Sequence, residues 1–163
     1  MLSFLMNKQI LFAVIPMLVA SLLIGSSIAS ATPLSSQSGS ISSTQNGPDG
    51  KPEWKVSGTW KFTNLSSKSP TFNASFDMMK VDGSSKHKHT IDATITSADF
   101  SRVGKSSVRT YSGTATITMK EEPASDVPIV IKISSNGNVS ILPDPSKTLG
   151  HFGNTPIEGK TTV

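Results

Sequence analysis

A strict alternation of apolar and polar side chains dominates the chain from residue 53 onward. In its first run, Trp54, Val56, Gly58, Trp60 and Phe62 share one face, and lysine, serine and threonine residues occupy the other. Successive side chains of a strand point to opposite faces of its sheet, so this period predicts a strand with one buried and one solvated face. The same pattern recurs over residues 72–78, 87–95, 111–119, 127–133 and 139–141.

Short turns separate these runs, and no segment after residue 50 has a convincing helical period. Asp82-Gly83 and Asn136-Gly137 are hairpin signals between neighbouring strands. Residues 146–163 contain the glycines of a loop, which either continues to the C-terminus or ends in a last short strand. The sequence therefore predicts an all-β fold, a single antiparallel β-sandwich or small β-barrel of six or seven strands.

Residues 1–31 have the pattern of a secretory signal peptide. Lys8 is the single charge before the apolar run Ile10–Ile24, and Ala29-Ser30-Ala31 is a small-x-small cleavage site before Thr32. An uncleaved membrane anchor is the alternative, but a span needs about 20 apolar residues and this run is shorter. We expect a protein that is secreted or held in the cell envelope, outside the cytoplasmic membrane, and that meets the membrane only through an uncleaved signal.

Residues 32–50 are rich in serine and glycine and carry no charge before Asp49. This composition predicts a flexible, disordered linker. The sequence therefore divides into a signal peptide (1–31), a linker (32–50) and a β-domain (51–163).

Composition excludes several classes of function. The net charge of +4 is scattered along the chain, so no basic stripe with interleaved aromatic residues indicates a nucleic-acid partner. The chain has no cysteine, so it has neither disulfides nor a thiol nucleophile. The motifs of serine hydrolases, zinc proteases and phosphate-binding loops are absent from the sequence, which favours a protein that is not an enzyme.

The three histidines are the candidate metal ligands. His87 and His89 alternate with outward lysines in the third run, so both project to the inward face at its start. His151 lies between glycines in GHFGNTPIEG, and a neutral imidazole is a good ligand for copper or zinc. Three histidines with an open position would make a copper or zinc site. Asp82 and Glu158 are candidate oxygen ligands nearby, and the sequence favours neither over the other. The alternative is that the histidines only pack and hydrogen-bond at a strand end.

Other polar and aromatic residues have simpler interpretations. Asn64, Asn73 and Asn138 begin N-x-Ser sequons in turns or on an outward face, where they are either glycosylated or ordinary polar residues. The tryptophans and phenylalanines share inward faces and are predicted to be core. Met78 shares the inward face of Phe76, and its thioether is either core packing or a soft copper ligand.

The succession of motifs resembles a known group of proteins. The strands read VSGTWKF, ASFDMMKVDG, HKHTI, SGTATITMKE and DVPIVIKI, followed by HFGNTPIEG. Together they resemble small exported β-domain proteins of ammonia-oxidising archaea, over about residues 53 to 159. The H-x-H strand and the HFGN-x-PI-x-G tail are its most specific parts. The resemblance implies an exported β-domain in a copper-rich setting, and no activity.

These patterns leave three functional hypotheses. The first is an exported, non-enzymatic β-domain of the cell envelope or extracellular space with a copper or zinc site at His87, His89 and His151. The second is a structural or protein-interaction module of the envelope with incidental histidines, and the third is a metal-dependent enzyme. The contact between His151 and the His87/His89 pair discriminates between them.

Overall fold

A computed structural model describes residues 35–162, and the predicted signal peptide over residues 1–31 lies outside them. The described residues form eight strands. They are β1 (Ser36–Asn46), β2 (Pro52–Thr63), β3 (Thr71–Lys80), β4 (Lys86–Val103), β5 (Ser106–Ile117), β6 (Ala124–Ser134), β7 (Asn138–Pro143) and β8 (Ile157–Thr161). Within this range, no helix is long and apolar enough to cross a membrane.

The strands form a closed barrel in sequence order. Each strand pairs antiparallel with the next one along the chain, and β1 pairs with β8 to close the barrel. The closing register is short and places Gly39 opposite Thr161 and Ile41 opposite Gly159. The prediction of an all-β antiparallel fold is confirmed, and the barrel is the correct alternative.

The predicted linker over residues 32–50 is wrong where β1 lies. β1 pairs with β2 from Ser36 to Asn46, so the barrel starts well before the predicted boundary at Lys51 and has one strand more than predicted. The sequence of β1 does not indicate a strand, because its outward residues are mostly serine and its inward face holds a single large apolar residue, Ile41. Backbone pairing to two neighbours, which composition does not reveal, stabilises this segment.

A buried glutamine on β1 shows how the barrel accepts polar residues there. Gln45 is 2% exposed. Its Nε2 donates to the backbone oxygen of Pro156 over 3.2 Å, and its Oε1 accepts from the Thr155 hydroxyl over 2.7 Å. Both groups of the amide are therefore satisfied, which removes most of the cost of burying it.

Side chains fill the barrel interior, as the alternation predicts. Phe62 lies 4.9 Å from Phe72 and 4.6 Å from Tyr111, measured between ring centroids, and Trp60 stacks on Phe72 at 6.2 Å. A Cβ on Gly58 would lie 2.5 Å from the Cα of Phe76, so only glycine permits this approach of β2 to β3. The predicted core role of Trp60, Phe62 and Phe72 is confirmed, since each is at most 2% exposed. The same prediction is wrong for Phe100, which is 65% exposed because it lies on the part of β4 that extends beyond its pairing with β3.

Eight strands in up-and-down order have seven connections, four at one end of the barrel and three at the other. The β1–β2, β3–β4, β5–β6 and β7–β8 connections share one end, which we call the histidine end because β4 begins there with His87 and His89. At the other end, β4 continues to Val103 alongside β5 after its pairing with β3 has stopped at Thr94.

The three sequon asparagines are all exposed. Asn64 follows β2 with a positive φ of 57°, Asn73 lies on the outer face of β3, and Asn138 begins β7. The amide of Asn73 donates to Asp92 Oδ1 over 2.6 Å. Glycosylation at these positions stays a prediction.

Candidate metal centre

Strand β4 places two of the histidines side by side at the histidine end. His87 pairs with Met78 of β3, and His89 pairs with Phe76. Both histidines point inward, whereas Lys86 and Lys88 are exposed on the outer face. The Lys86 ammonium lies 3.2 Å from a carboxylate oxygen of Asp77, outside the barrel. The flanking positive charges therefore point away from the imidazoles.

The β7–β8 connection brings the third histidine to the same place. Consecutive turns shape this loop: the Gly150 amide donates to the Pro145 carbonyl over 2.8 Å, and the His151 amide donates to the Thr148 carbonyl over 2.9 Å. Gly150 and Gly153 have φ values of 68° and 71°, which glycine adopts without strain. The glycines on both sides of His151 thus let the chain turn tightly around it.

Phe152 anchors the loop to the barrel. Its side chain is 2% exposed and lies 5.9 Å from the ring of Phe76 and 5.0 Å from that of His89, between centroids. The Phe152 ring also lies 5.1 Å from the His151 ring. Burial of this aromatic side chain holds His151 against the strand that carries the other two histidines.

The three imidazoles converge through their Nε2 atoms. Nε2 of His151 lies 3.2 Å from Nε2 of His87 and 3.0 Å from Nε2 of His89. All three ligand atoms lie within 4.8 Å of one another. A tetrahedral zinc with bonds of about 2.0–2.1 Å holds its nitrogen ligands about 3.3–3.4 Å apart. The two contacts of His151 are already close to this spacing, and the widest separation, at most 4.8 Å, has to shorten for all three nitrogens to bind one ion.

A second hydrogen bond orients the ring of His89. Its Nδ1 lies 2.6 Å from the backbone oxygen of Thr118, just beyond the end of β5. Because a carbonyl can only accept, the proton of neutral His89 is on Nδ1, and Nε2 presents a lone pair to the other two imidazoles. A partner on the outer nitrogen is the usual support of a metal-binding histidine.

Hydrogen bonds alone do not satisfy this cluster. With His89 as the Nδ1–H tautomer, only a proton on Nε2 of His151 can join His151 to His89. That nitrogen then has no lone pair for His87, and its one proton cannot serve both neighbours well. If His151 instead accepts from His87, two lone pairs face each other across 3.0 Å. A cation between the three nitrogens removes this conflict.

Burial favours the neutral, metal-binding form of two of the histidines. His89 is 3% exposed, and this desolvation lowers its pKa below 6.5, although the Thr118 carbonyl opposes the shift. Desolvation also lowers the pKa of His151, and the nearby His87 adds to the effect. Neutral imidazole is the form that binds metals, so the lower pKa values of His89 and His151 favour binding near neutral pH.

The cluster opens into a cavity of about 370 Å³ at the histidine end. The residues that line it are Trp54, Ser85, His87, Lys88, His89, Met119, Lys120 and His151. Trp54 meets His87 edge to face at 4.9 Å, and the Lys80 ammonium lies 5.6 Å from the Trp54 ring centroid. None of these wall residues has a carboxylate.

The two acidic candidates lie elsewhere. Asp82 is exposed in the β3–β4 turn, where its Oδ1 accepts from the Ser84 amide over 2.9 Å. This bond lowers the pKa of Asp82. Glu158 is on the outer face of β8, beside a groove that Lys55 also lines, and desolvation raises its pKa. The described residues therefore place all three histidines together and neither carboxylate with them.

Several contributors to the site carried no sequence signal. Thr118 acts through its backbone oxygen, which any residue would offer. The sequence predicts Trp54 only as a core residue and makes no prediction for Phe152, yet both side chains contact the histidines. Met119 belongs to an inward face predicted from alternation, but its place beside the cluster depends on strand pairing.

No protein-family model, curated protein or solved structure matches this chain.

Proposed function

We propose that this chain is an exported, non-enzymatic β-barrel of the cell envelope or extracellular space that binds one copper or zinc ion through His87, His89 and His151. The convergence of three Nε2 atoms, with contacts of 3.0 and 3.2 Å to His151, carries the proposal. Three imidazoles are a common ligand set for both metals, and desolvation lowers the pKa of His89 and His151, which favours their neutral form.

The N-terminal sequence supports export. Residues 1–31 combine one lysine, an apolar run and a small-x-small site, and the resemblance to exported archaeal β-domains agrees with this compartment. The exposure of Asn64, Asn73 and Asn138 is compatible with glycans on an exported chain. Envelope proteins are the expected neighbours of the barrel.

The surroundings of the cluster favour binding over catalysis. A metal-dependent hydrolase usually places a general base beside the metal-bound water, most often a carboxylate or a histidine. The cavity into which the cluster opens has no carboxylate in its walls, and the Nε2 atoms of His87 and His89 both contact Nε2 of His151. The carboxylate of Glu53, which lines a neighbouring cavity with His151, lies 3.9 Å from the Lys80 ammonium. Aromatic and aliphatic side chains fill the barrel below, which leaves no interior substrate chamber next to the site.

Metal analysis of the purified protein tests this proposal. After loading with Cu(II) or Zn(II) and dialysis, we expect one ion per chain. We expect no bound ion in the His87→Ala/His89→Ala variant and weakened binding in His151→Ala. Lys88→Ala is the matched control, because Lys88 lies between the two histidines but points outward. Unchanged stoichiometry in a folded double variant would refute the site.

One observation favours a protein-interaction module as the second candidate. Beyond Thr94, the part of β4 over residues 96–103 pairs with β5 on one edge, and no described strand pairs with its other edge. Such an edge can add a strand from another protein. Phe100 is 65% exposed on this segment.

Association through this edge can be measured by sedimentation velocity over a range of concentrations. We expect any self-association to disappear in Phe100→Lys, while metal binding is retained. A monomer at every concentration would count against association between copies of this chain.

A further inference from the structure

Met119 lines the same cavity as the three histidines but is not one of the three proposed ligands. It follows β5 by two residues and continues the inward face of Ala115 and Ile117, with its side chain half-buried. Ile91 of β4 pairs with Ile117 of β5, and the Thr118 amide donates to the Thr90 carbonyl over 3.1 Å. Hydrogen bonding between the two segments thus reaches Thr118, whose own carbonyl turns to the His89 ring instead of the Thr90 amide.

Met119 follows Thr118 directly, so it lies one residue beyond the carbonyl that orients the His89 ring. Its side chain packs against the core residues at this end of the barrel. Met119 also lines the cavity into which the three histidines open. The cavity thus collects three imidazole nitrogens and one thioether sulfur.

We propose that Met119 Sδ is the fourth ligand and that the site prefers Cu(I) to Zn(II). This inference rests on the proposed metal site and specifies its ion. A methionine side chain has three rotatable bonds, so its sulfur can reach an ion held by the neighbouring histidine. Thioether sulfur is a soft ligand that favours Cu(I), whereas zinc sites more often complete their shell with water, carboxylate or thiolate.

The chemistry of the surroundings agrees with a soft ion. The cavity walls have no carboxylate, an oxygen ligand that zinc sites often use, so the thioether is the additional donor that this lining offers.

A second methionine lies close by but in a different position. Met78 pairs with His87 on β3, and its side chain is 1% exposed within the core. It does not line the cavity that contains Met119. Met78 therefore provides a matched control: it is also a thioether next to a histidine, but it is packed beneath the site.

Two measurements on the purified protein test the inference. Competition with a chromophoric Cu(I) chelator under anaerobic conditions, and with a Zn(II) indicator, gives the two affinities. X-ray absorption of the Cu(I) form shows whether sulfur is bound. In Met119→Leu, we expect Cu(I) affinity to fall by about tenfold or more and Zn(II) affinity to stay unchanged. Leucine keeps the apolar volume, so the barrel is expected to remain folded.

The outcomes separate the two proposals. A sulfur signal in the wild type and in Met78→Leu that is lost in Met119→Leu supports the inference. Cu(I) bound by nitrogen alone, with equal affinity in Met119→Leu, would overturn it and leave the three-histidine site intact. A sulfur signal lost only in Met78→Leu would also overturn it. Absence of bound Cu(I) and Zn(II) in the wild type would overturn both proposals.

Discussion

The substitution Ile41→Ala tests whether β1 is an integral part of the barrel. Ile41 is 2% exposed, and it is the single large apolar side chain on the inward face of β1. The change removes the equivalent of three methyl or methylene groups, or about 2.4 kcal/mol of transfer free energy at about 0.8 kcal/mol each. The cavity left behind adds to this loss, so we expect the free energy of unfolding to fall by about 3–4 kcal/mol.

Urea unfolding followed by tryptophan fluorescence measures this loss. Trp60 is a suitable probe, because it is 2% exposed and its indole donates to the Lys160 carbonyl next to β1. With a slope of about 2 kcal/mol per molar urea, the midpoint should fall by about 1.5–2 M. Ser40→Ala is the control, since Ser40 is exposed on the same strand and its change should cost less than about 0.5 kcal/mol.

The opposite result has a clear meaning. If residues 36–46 were a flexible linker, Ile41→Ala and Ser40→Ala would both leave the midpoint unchanged. That outcome would refute the closure of the barrel by β1, and with it the placement of Gln45 under the loop that carries His151.

Three further predictions concern the metal centre. Zn(II) at 100 times its dissociation constant should raise the free energy of unfolding by about 2.7 kcal/mol. The same addition should leave the midpoint of His87→Ala/His89→Ala unchanged, and an equal shift there would contradict the site. Phe152→Ala removes burial worth about 1.5–3 kcal/mol from the loop that carries His151. Metal affinity should therefore fall by about tenfold, while the circular dichroism spectrum of the barrel is retained. Unchanged affinity would show that Phe152 does not hold the loop. Burial lowers the pKa of His89 and His151, so the unfolded chain binds more protons below pH 6.5. The metal-free protein should therefore keep its full stability above about pH 6.5 and lose part of it as the pH falls through the pKa values of the folded state. In His89→Gln, the free energy of unfolding should depend less steeply on pH. A metal-free protein that becomes more stable on acidification would contradict the predicted direction.

Strands β2 to β7 were predictable because each buries one face. Their inward residues alternate with polar ones over long runs, as in Trp60 and Phe62, and this period has a single structural meaning. β1 was not predictable, since Ser40, Ser42 and Thr44 on its outer face are the residues that also make linkers. Its identity as a strand depends on pairing with β2 and β8, which are close to it only in the folded barrel.

The candidate site was predictable only in its parts. Alternation placed His87 and His89 on one inward face, and the glycines around His151 indicated a loop that can approach closely. Nothing in the sequence showed that a loop 62 residues beyond His89 returns to it. The partner of His89 was equally hidden, because the backbone oxygen of Thr118 has no signature in its side chain.

The sequence by itself determined the fold class, the inward face of most strands and the identity of the three imidazoles. These properties follow from local rules, since the two-residue period decides which side chains are buried together. The tertiary structure decided that the sheet closes through β1, that His151 lies 3.0 Å from His89, and that Met119 shares their cavity. Those facts depend on register and loop closure between distant segments, which the pattern of any one segment does not contain.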